Sequence, residues 1–265
     1  MFKIFQRLWQ VNWAEQWQYR ANLIMYLLYW LVSPIIYLAV WTSIANSKGS
    51  VNGFTANDFV TYYLTLLIVD QITSNIVIHT FAYKVQDGTL SGELVRPIHP
   101  MLTNALINNI AFKVLTIMGF IPIWIILFFL YKPDFSNVAL SGILLAIPAV
   151  IIGFFVGFLL SAAITALAFW TTRVYSIHEF YFALILLFSG QFVPLTLMPK
   201  LIQDIAQYLP FQLLIYYPIQ LILGKLSSAQ IVQGYAMGII WLAVAIAIFG
   251  WMWRNGVKRF SAVGA

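Results

Sequence analysis

Charge is scarce in this sequence. Only 8% of its 265 residues are Asp, Glu, Lys or Arg, whereas a soluble globular domain carries about 25%. So few charges cannot cover an ordinary water-facing surface, which excludes a soluble domain of the usual kind. The 62% of hydrophobic residues instead predict an all-α integral membrane protein that forms a single domain over residues 1–265.

Cysteine is absent altogether, and this excludes disulfides, thiolate nucleophiles and cysteine-ligated metals. A nucleotide-binding P-loop is also missing, because Gly224-Lys225 is followed by leucine and lacks the upstream glycine. The histidines, His79, His99 and His178, are too scattered in sequence to predict a metal site. We therefore expect no catalytic site and no bound cofactor on this chain.

Six apolar segments are candidates for crossing a bilayer, which takes about 20 helical residues. They cover residues 22–45, 59–80, 110–131, 138–170, 180–197 and 232–253. A further apolar run at 211–223 is too short to cross and lies within a proline-rich stretch, 194–230. We expect a re-entrant, broken-helix element there.

The positions of Lys and Arg orient these segments. With both termini in the cytoplasm, nine of these residues face the cytoplasm and four face outwards, in agreement with the positive-inside rule. A seventh span would move Arg254, Lys258 and Arg259 outside. The net charge of +6 thus indicates membrane orientation rather than nucleic-acid binding, and the 194–230 element is predicted to be external.

The first twenty residues alternate with a helical period. Phe2, Phe5, Leu8, Trp9 and Trp13 fall on one side, and Lys3, Gln6, Arg7, Gln10 and Gln18 on the other. An amphipathic helix over residues 1–20 would lie in the cytoplasmic interface. An ordinary aromatic belt before the first span explains the same residues equally well.

A carboxylate near the middle of the second span is the most conspicuous single residue. Asp70 is followed by Gln71, Ser74 and Asn75, and a charge at such a depth costs about 2.5–3.5 kcal/mol on insertion scales. These four residues are candidates for a substrate pathway. A structural Asp70–Lys113 pair explains the carboxylate equally well. If Lys113 instead reaches the interface, Asp70 relies on Gln71, Asn75 or a protonated state.

The connection over residues 81–100 mixes charged and apolar side chains, among them Lys84, Asp87, Leu90, Glu93 and Arg96. We predict a short amphipathic helix that breaks at Gly88 and stops before Pro97. A helix of this kind either docks into a groove of a partner or lies at the interface without one. Two GxxxG patterns, Gly153/Gly157 and Gly234/Gly238, predict close helix contacts elsewhere.

Three stretches resemble the ABC-2 type exporter permeases, particularly the viologen-exporter-like branch. They are DGTLSGELVRPIHP at 87–100, VPLTLMPKLIQDIAQYLPFQLLIYYPIQLILGK at 193–225, and KRFSAVGA at 258–265. The resemblance implies an N-terminal interface helix, a cytoplasmic coupling helix within 81–96 that contacts an ATPase, and an external re-entrant element within 194–225. Each of these has a counterpart in the six-span topology above.

The resemblance also implies the partners and the function. Two permeases, as a homodimer or a heterodimer with a related permease, would work with two ABC ATPase subunits that bind ATP and magnesium, among the lipids of a bacterial cytoplasmic (inner) membrane. The chain would be a non-catalytic exporter permease for an amphipathic, lipid-like, drug-like or glycan-bearing substrate, with the first, second and fifth spans lining the path. The alternative is an ion- or proton-coupled secondary transporter or channel that uses Asp70.

Overall fold

The computed structural model describes residues 2–75 and 77–261, with the side chains of residues 2–5, 20, 79, 80, 103 and 104 left out. Over these residues the chain is all-helical, which confirms the predicted class. The α-helices are α1 Phe2–Gln18, α2 Arg20–Lys48, α3 Ala56–Thr73, α4 Val77–Gln86, α5 Ser91–Leu94, α6 Ile107–Tyr131, α7 Leu140–Ala166, α8 Val174–Phe188, α9 Lys200–Ala206, α10 Tyr216–Ile222 and α11 Ser228–Val257. The last four residues of the 258–265 stretch lie outside the described residues.

Four helices in the described part are long and apolar enough to cross a membrane. They are Ala21–Lys48, Ile107–Tyr131, Leu140–Phe169 and Ser228–Val257, and they correspond to the first, third, fourth and sixth predicted spans. The remaining two predicted spans correspond to α3, with 18 residues, and α8, with 15 residues. The count of six spans therefore stays a prediction.

The second predicted span, 59–80, is not one continuous helix. Helix α3 ends at Thr73, and the backbone of Ser74 is extended, with φ −60° and ψ 155°. The Asn75 side-chain amide donates to the Thr73 carbonyl at 2.7 Å, which offers the backbone a local alternative to the helical hydrogen bond. A break, which we call the α3–α4 joint (residues 74–75), therefore separates α3 from α4.

The fifth predicted span, 180–197, is placed too late in the sequence. Helix α8 begins at Val174 and ends at Phe188. The chain then turns at Gly190, whose φ of +85° suits glycine because a side chain would be strained there. The polar residues before Phe180 hid the first turns of this helix.

Helix α3 is the centre of the bundle. It packs against α2, α6, α7 and α10, and most of its side chains are buried, including those of Phe59, Tyr62 and Val69. Only the face with Ile68 and Ile72 is exposed near its C-terminal end. A helix buried on most sides carries apolar residues on most faces. Its C-terminal end, with Asp70 and Gln71, consequently lies inside the protein.

Contacts between connections define two ends of the bundle. At one end, Lys225 Nζ lies 3.5 Å from Asp58 Oδ1, which joins the segment before α11 to the start of α3. At the other, the Gln86 side chain donates to the Thr172 carbonyl at 3.3 Å, which joins α4 to the segment before α8. We call these the Lys225 end and the Gln86 end.

Helices α1 and α2 are two distinct helices rather than one, and α1 packs mainly against α6. Asn108 of α6 donates from Nδ2 to Asn12 Oδ1 at 3.0 Å, and the rings of Trp9 and Trp13 stack with centroids 5.8 Å apart. The helix is thus fastened to the bundle by a polar contact, and its place in a membrane interface stays a prediction.

The stretch 194–230 contains broken helices, as the prolines predict. Helices α9 and α10 alternate there with 3₁₀ turns at Leu195–Leu197 and Pro210–Leu213. Helix α10 packs against α7 and α3. A Cβ on Gly153 of α7 would lie 2.5 Å from the Leu213 carbonyl oxygen, so this close approach depends on glycine.

Candidate substrate cavity and coupling element

A cavity of about 120 Å³ lies between α2, α3, α7 and α8. Three of the four predicted pathway residues, Asp70, Ser74 and Asn75, line it from the end of α3 and the α3–α4 joint. Gln71 does not; it lines an adjoining, much smaller cavity together with Lys113. The break in the helix therefore brings most of the predicted polar cluster to one enclosed space.

The α3–α4 joint is held closely against α7. A Cβ on Gly157 of α7 would lie only 3.0 Å from Asn75 Nδ2. The Asn109 side chain of α6 donates to Asn75 Oδ1 at 3.4 Å. The two glycines of the GxxxG pattern in α7 thus allow the α3–α4 joint and residue 213 to pack closely against this helix. The sequence predicted only an unspecified helix contact there.

No direct ion pair joins Asp70 and Lys113 among the described residues, although the two buried side chains lie close enough to interact electrostatically. Lys113 is buried and does not reach an interface. Its ammonium donates to the Gln71 carbonyl at 3.0 Å and to Ser74 Oγ at 3.2 Å. It takes this position because the last carbonyls of α3 lack helical partners.

Three buried polar atoms that line the cavity have no hydrogen-bond partner in the described structure. They are Ser161 Oγ, Tyr181 Oη and Gln191 Oε1, and each side chain is at most 8% exposed. Buried polar atoms are nearly always paired, so the cavity has hydrogen-bonding capacity to spare. Sequence reasoning missed these residues because they stand singly in apolar stretches.

Glu179 of α8 brings a second carboxylate to the cavity, and Tyr26, Tyr29 and Trp30 of α2 form an aromatic wall. Neither group was predicted. The aromatic residues recur at helical spacing, which places them on one face of α2. This spacing is the feature of the sequence from which the wall could have been predicted. Glu179 gave no such signal, because it lies just before the predicted fifth span, 180–197, where a charged residue is ordinary.

The connection after α4 is folded by its own charged residues. Lys84 Nζ lies 2.7 Å from Glu93 Oε1, with the side chains 18% and 14% exposed. Leu90 is fully buried, and its N–H donates to the Lys84 carbonyl at 3.0 Å. Lys84, Leu90 and Glu93, three of the residues predicted to couple to the ATPase, therefore hold α4 and α5 together.

The outer surface of this connection consists of Tyr83, Asp87, Thr89, Val95 and Arg96, all exposed; we call it the coupling surface. It lies at the Gln86 end. The hydroxyl and N–H of Thr89 donate to Asp87 Oδ1 and lower the pKa of that carboxyl. Asp87 accordingly stays ionised at neutral pH and holds the turn at Gly88, where φ is +82°.

Two of the three histidines can be placed. The His99 ring lies against the Trp253 ring of α11, with centroids 4.6 Å apart, whereas His178 lines the cavity. The side chain of His79 lies outside the described residues. His99 and His178 thus belong to different parts of the bundle.

Comparison with known proteins adds the family. The model of the ABC-2 family transporter proteins matches residues 21–264, which reaches from the start of α2 to beyond the end of α11. No curated protein matches the chain. Such membrane domains act as transport permeases together with ABC ATPase subunits. The match covers nearly the whole chain, and the protein therefore belongs to the ABC-2 family of transporters.

Proposed function

We propose that this protein is the permease subunit of an ATP-driven exporter, that it moves an amphipathic substrate, and that it catalyses no reaction itself. Family membership supports the permease role. The observation that carries the ATP-driven role is the coupling surface, a folded and exposed patch joined through α4 to the cavity. ATP and magnesium would be bound by the separate ATPase subunit.

The Gln86 end faces the cytoplasm in this proposal. It carries Lys84, Arg96, Arg173, Arg254, Lys258 and Arg259, whereas Lys48, Lys132, Lys200 and Lys225 belong to connections of the opposite end. This difference follows the positive-inside rule. The chain would cross a bacterial inner membrane six times, with α3–α4 and α8 as the two shorter crossings, α1 in the interface, and both termini in the cytoplasm.

Two such permeases, identical or related, would work with two ATPase subunits. The cavity supports the expected path, because α2, α3 and α8, the helices that correspond to the first, second and fifth predicted spans, all line it, together with α7. We also place the chain in the viologen-exporter-like branch, on the strength of the residues at 87–100 and 193–225.

The α3–α4 joint offers a route from ATP hydrolysis to transport. Closure of the ATPase subunits would push the coupling surface, and α4 would pass this movement to residues 74–75. These residues line the cavity, so a small rotation of α4 would change its shape. A few element-terminal residues that absorb a backbone change are the usual hinge in such transitions.

Co-purification tests the proposal. The tagged chain would be extracted from its native membrane in mild detergent, and the eluate examined by mass spectrometry and for ATP hydrolysis. We expect an ATP-binding-cassette subunit with the unmodified chain, and its loss with Arg96→Glu. Lys132→Glu is the matched control, because Lys132 is an exposed cation in a connection of the opposite end.

Purification without such a subunit, where a known transporter complex survives the same treatment, would contradict the proposal. The function would then be that of a secondary transporter, which the burial of Asp70 beside the cavity favours. In that case transport would follow the proton or ion gradient and would continue after ATP is depleted.

A further inference from the structure

We propose that the cavity between α2, α3, α7 and α8 binds a protonated amine head group that donates hydrogen bonds, carried on an apolar tail. The inference rests on the proposed permease function and names the chemical class of its substrate. Three independent features of the lining support it: its charge, its unpaired polar atoms and its aromatic wall.

The charge of the lining is negative. Asp70 and Glu179 contribute carboxylates, and the lining, as far as the structure describes it, contains His178 but neither lysine nor arginine. The ammonium of Lys113 donates to the Gln71 carbonyl and Ser74 Oγ and lines the adjoining cavity; it also interacts electrostatically with Asp70 and offsets part of the charge of that carboxylate. Asp70 is only 6% exposed, and a buried carboxylate attracts a cation more strongly than an exposed one such as Glu179, so a cationic ligand is favoured.

The unpaired polar atoms can all accept hydrogen bonds from a ligand, and one of them, Gln191 Oε1, can only accept. Gln191 Oε1 is an acceptor, and the hydroxyl oxygens of Ser161 and Tyr181 also have lone pairs available. A primary ammonium has three N–H donors and can satisfy such acceptors while facing a carboxylate. A quaternary ammonium has the same charge and no donor, and would leave them unpaired.

The aromatic wall accommodates the rest of the ligand. Tyr26, Tyr29 and Trp30 line the cavity, and aromatic faces attract cations as well as apolar chains. Tyr29 is 68% exposed, so the cavity opens past it at the outer face of α2. An apolar tail can leave there while the head group stays inside.

Binding of three matched probes tests the inference. Dodecylamine, dodecyltrimethylammonium and dodecanol share one tail and differ in charge and in N–H donors. The permease–ATPase complex in nanodiscs would be titrated with each radiolabelled probe. We expect dodecylamine to bind about tenfold or more tightly than either of the others, the effect of hydrogen bonds to a charged group.

Variants locate the site. Gln191→Leu and Asp70→Asn are each expected to weaken dodecylamine binding about tenfold. Gln233→Leu, an exposed position on α11, is the matched control and should leave the affinity unchanged. If a variant fails to assemble, the inference is tested by the preference of the unmodified complex among the three probes.

Equal affinity for the three probes, or a preference for dodecylamine that survives both variants, would overturn the inference and leave a cavity filled by water only. A complex that retains its ATPase subunit and hydrolyses ATP yet shows no amine preference would overturn this inference alone. Absence of the ATPase subunit would instead contradict the proposed function.

Discussion

The ammonium of Lys113 donates a hydrogen bond to the Gln71 carbonyl at 3.0 Å and so ties the end of α3 to α6. A second bond, to Ser74 Oγ at 3.2 Å, extends the tie into the α3–α4 joint. Lys113 therefore holds in place the segment through which α4 would act on the cavity. Its hydrogen bonds in the structure fix a broken helix, and its ammonium forms no direct ion pair with Asp70.

Replacement of Lys113 should loosen the joint. Lys113→Met removes both hydrogen bonds and leaves the Gln71 carbonyl without this donor. We expect faster amide hydrogen exchange in the peptide that contains Ser74, because local opening becomes easier. Lys132→Met, at an exposed position, should leave this exchange unchanged. Equal exchange in the Lys113 variant and the unmodified chain would show that the joint does not depend on the tie.

Asp70→Asn should impair transport more than assembly. The substitution keeps the size of the side chain and removes its charge, while the residue lies beside the cavity and only 6% of it is exposed. Substrate efflux from cells and the yield of purified complex would be measured together. Normal efflux with a lowered yield would assign Asp70 a structural role.

Two tyrosines of α3 fasten the loop after α8. Tyr62 Oη donates to the Gly190 carbonyl at 2.8 Å, and Tyr63 Oη donates to the Phe192 carbonyl at 2.6 Å. Tyr62→Phe should lower the free energy of unfolding by about 1–3 kcal/mol, because a buried carbonyl loses its donor. We expect a smaller loss from Tyr63→Phe, about 0.5–1.5 kcal/mol, because the Phe192 carbonyl keeps its hydrogen bond from Trp41 Nε1 at 3.1 Å. Both losses would be measured by thermal unfolding in nanodiscs.

Tyr208→Phe is the control for both tyrosine variants, since Tyr208 is 66% exposed. Its midpoint of unfolding should equal that of the unmodified chain. A midpoint as high for Tyr62→Phe as for Tyr208→Phe would mean that the hydroxyl contributes nothing to the loop.

Gly153→Ala should destabilise the packing of α7 against residues 210–214. The added Cβ would lie 2.5 Å from the Leu213 carbonyl oxygen, and overpacking of this kind costs about 1–3 kcal/mol. Gly250→Ala is the matched control, because no neighbouring atom lies within 4 Å of a Cβ built there. Equal thermal stability of the two variants would contradict the close contact.

The long apolar runs were predictable because burial in lipid demands about 20 apolar residues in a row. Helices α2, α6, α7 and α11 follow that rule. The break after Thr73 was harder to predict. Its polar residues, Ser74 and Asn75, were assigned to a substrate pathway within a continuous helix, but they also end the helix.

The cavity was predictable in part. Asp70 stands out as a lone carboxylate in an apolar run, and a charge in that position has to face a protein interior or water. Ser161, Tyr181 and Gln191 become conspicuous only when folding leaves them unpaired around one space. Lys84 and Glu93 were assigned to a partner, because sequence cannot tell an intramolecular ion pair from an intermolecular one.

The most direct test of the account asks whether the coupling surface touches an ATPase subunit. The chain has no cysteine, so Val95→Cys gives a single reactive thiol at a position that is 84% exposed. A short thiol-to-amine cross-linker would be added to native membranes, and the products identified by mass spectrometry. We predict a cross-link to an ATP-binding-cassette subunit from Val95→Cys and none from Lys132→Cys. Absence of that product from Val95→Cys, or the same product from Lys132→Cys, would contradict the account.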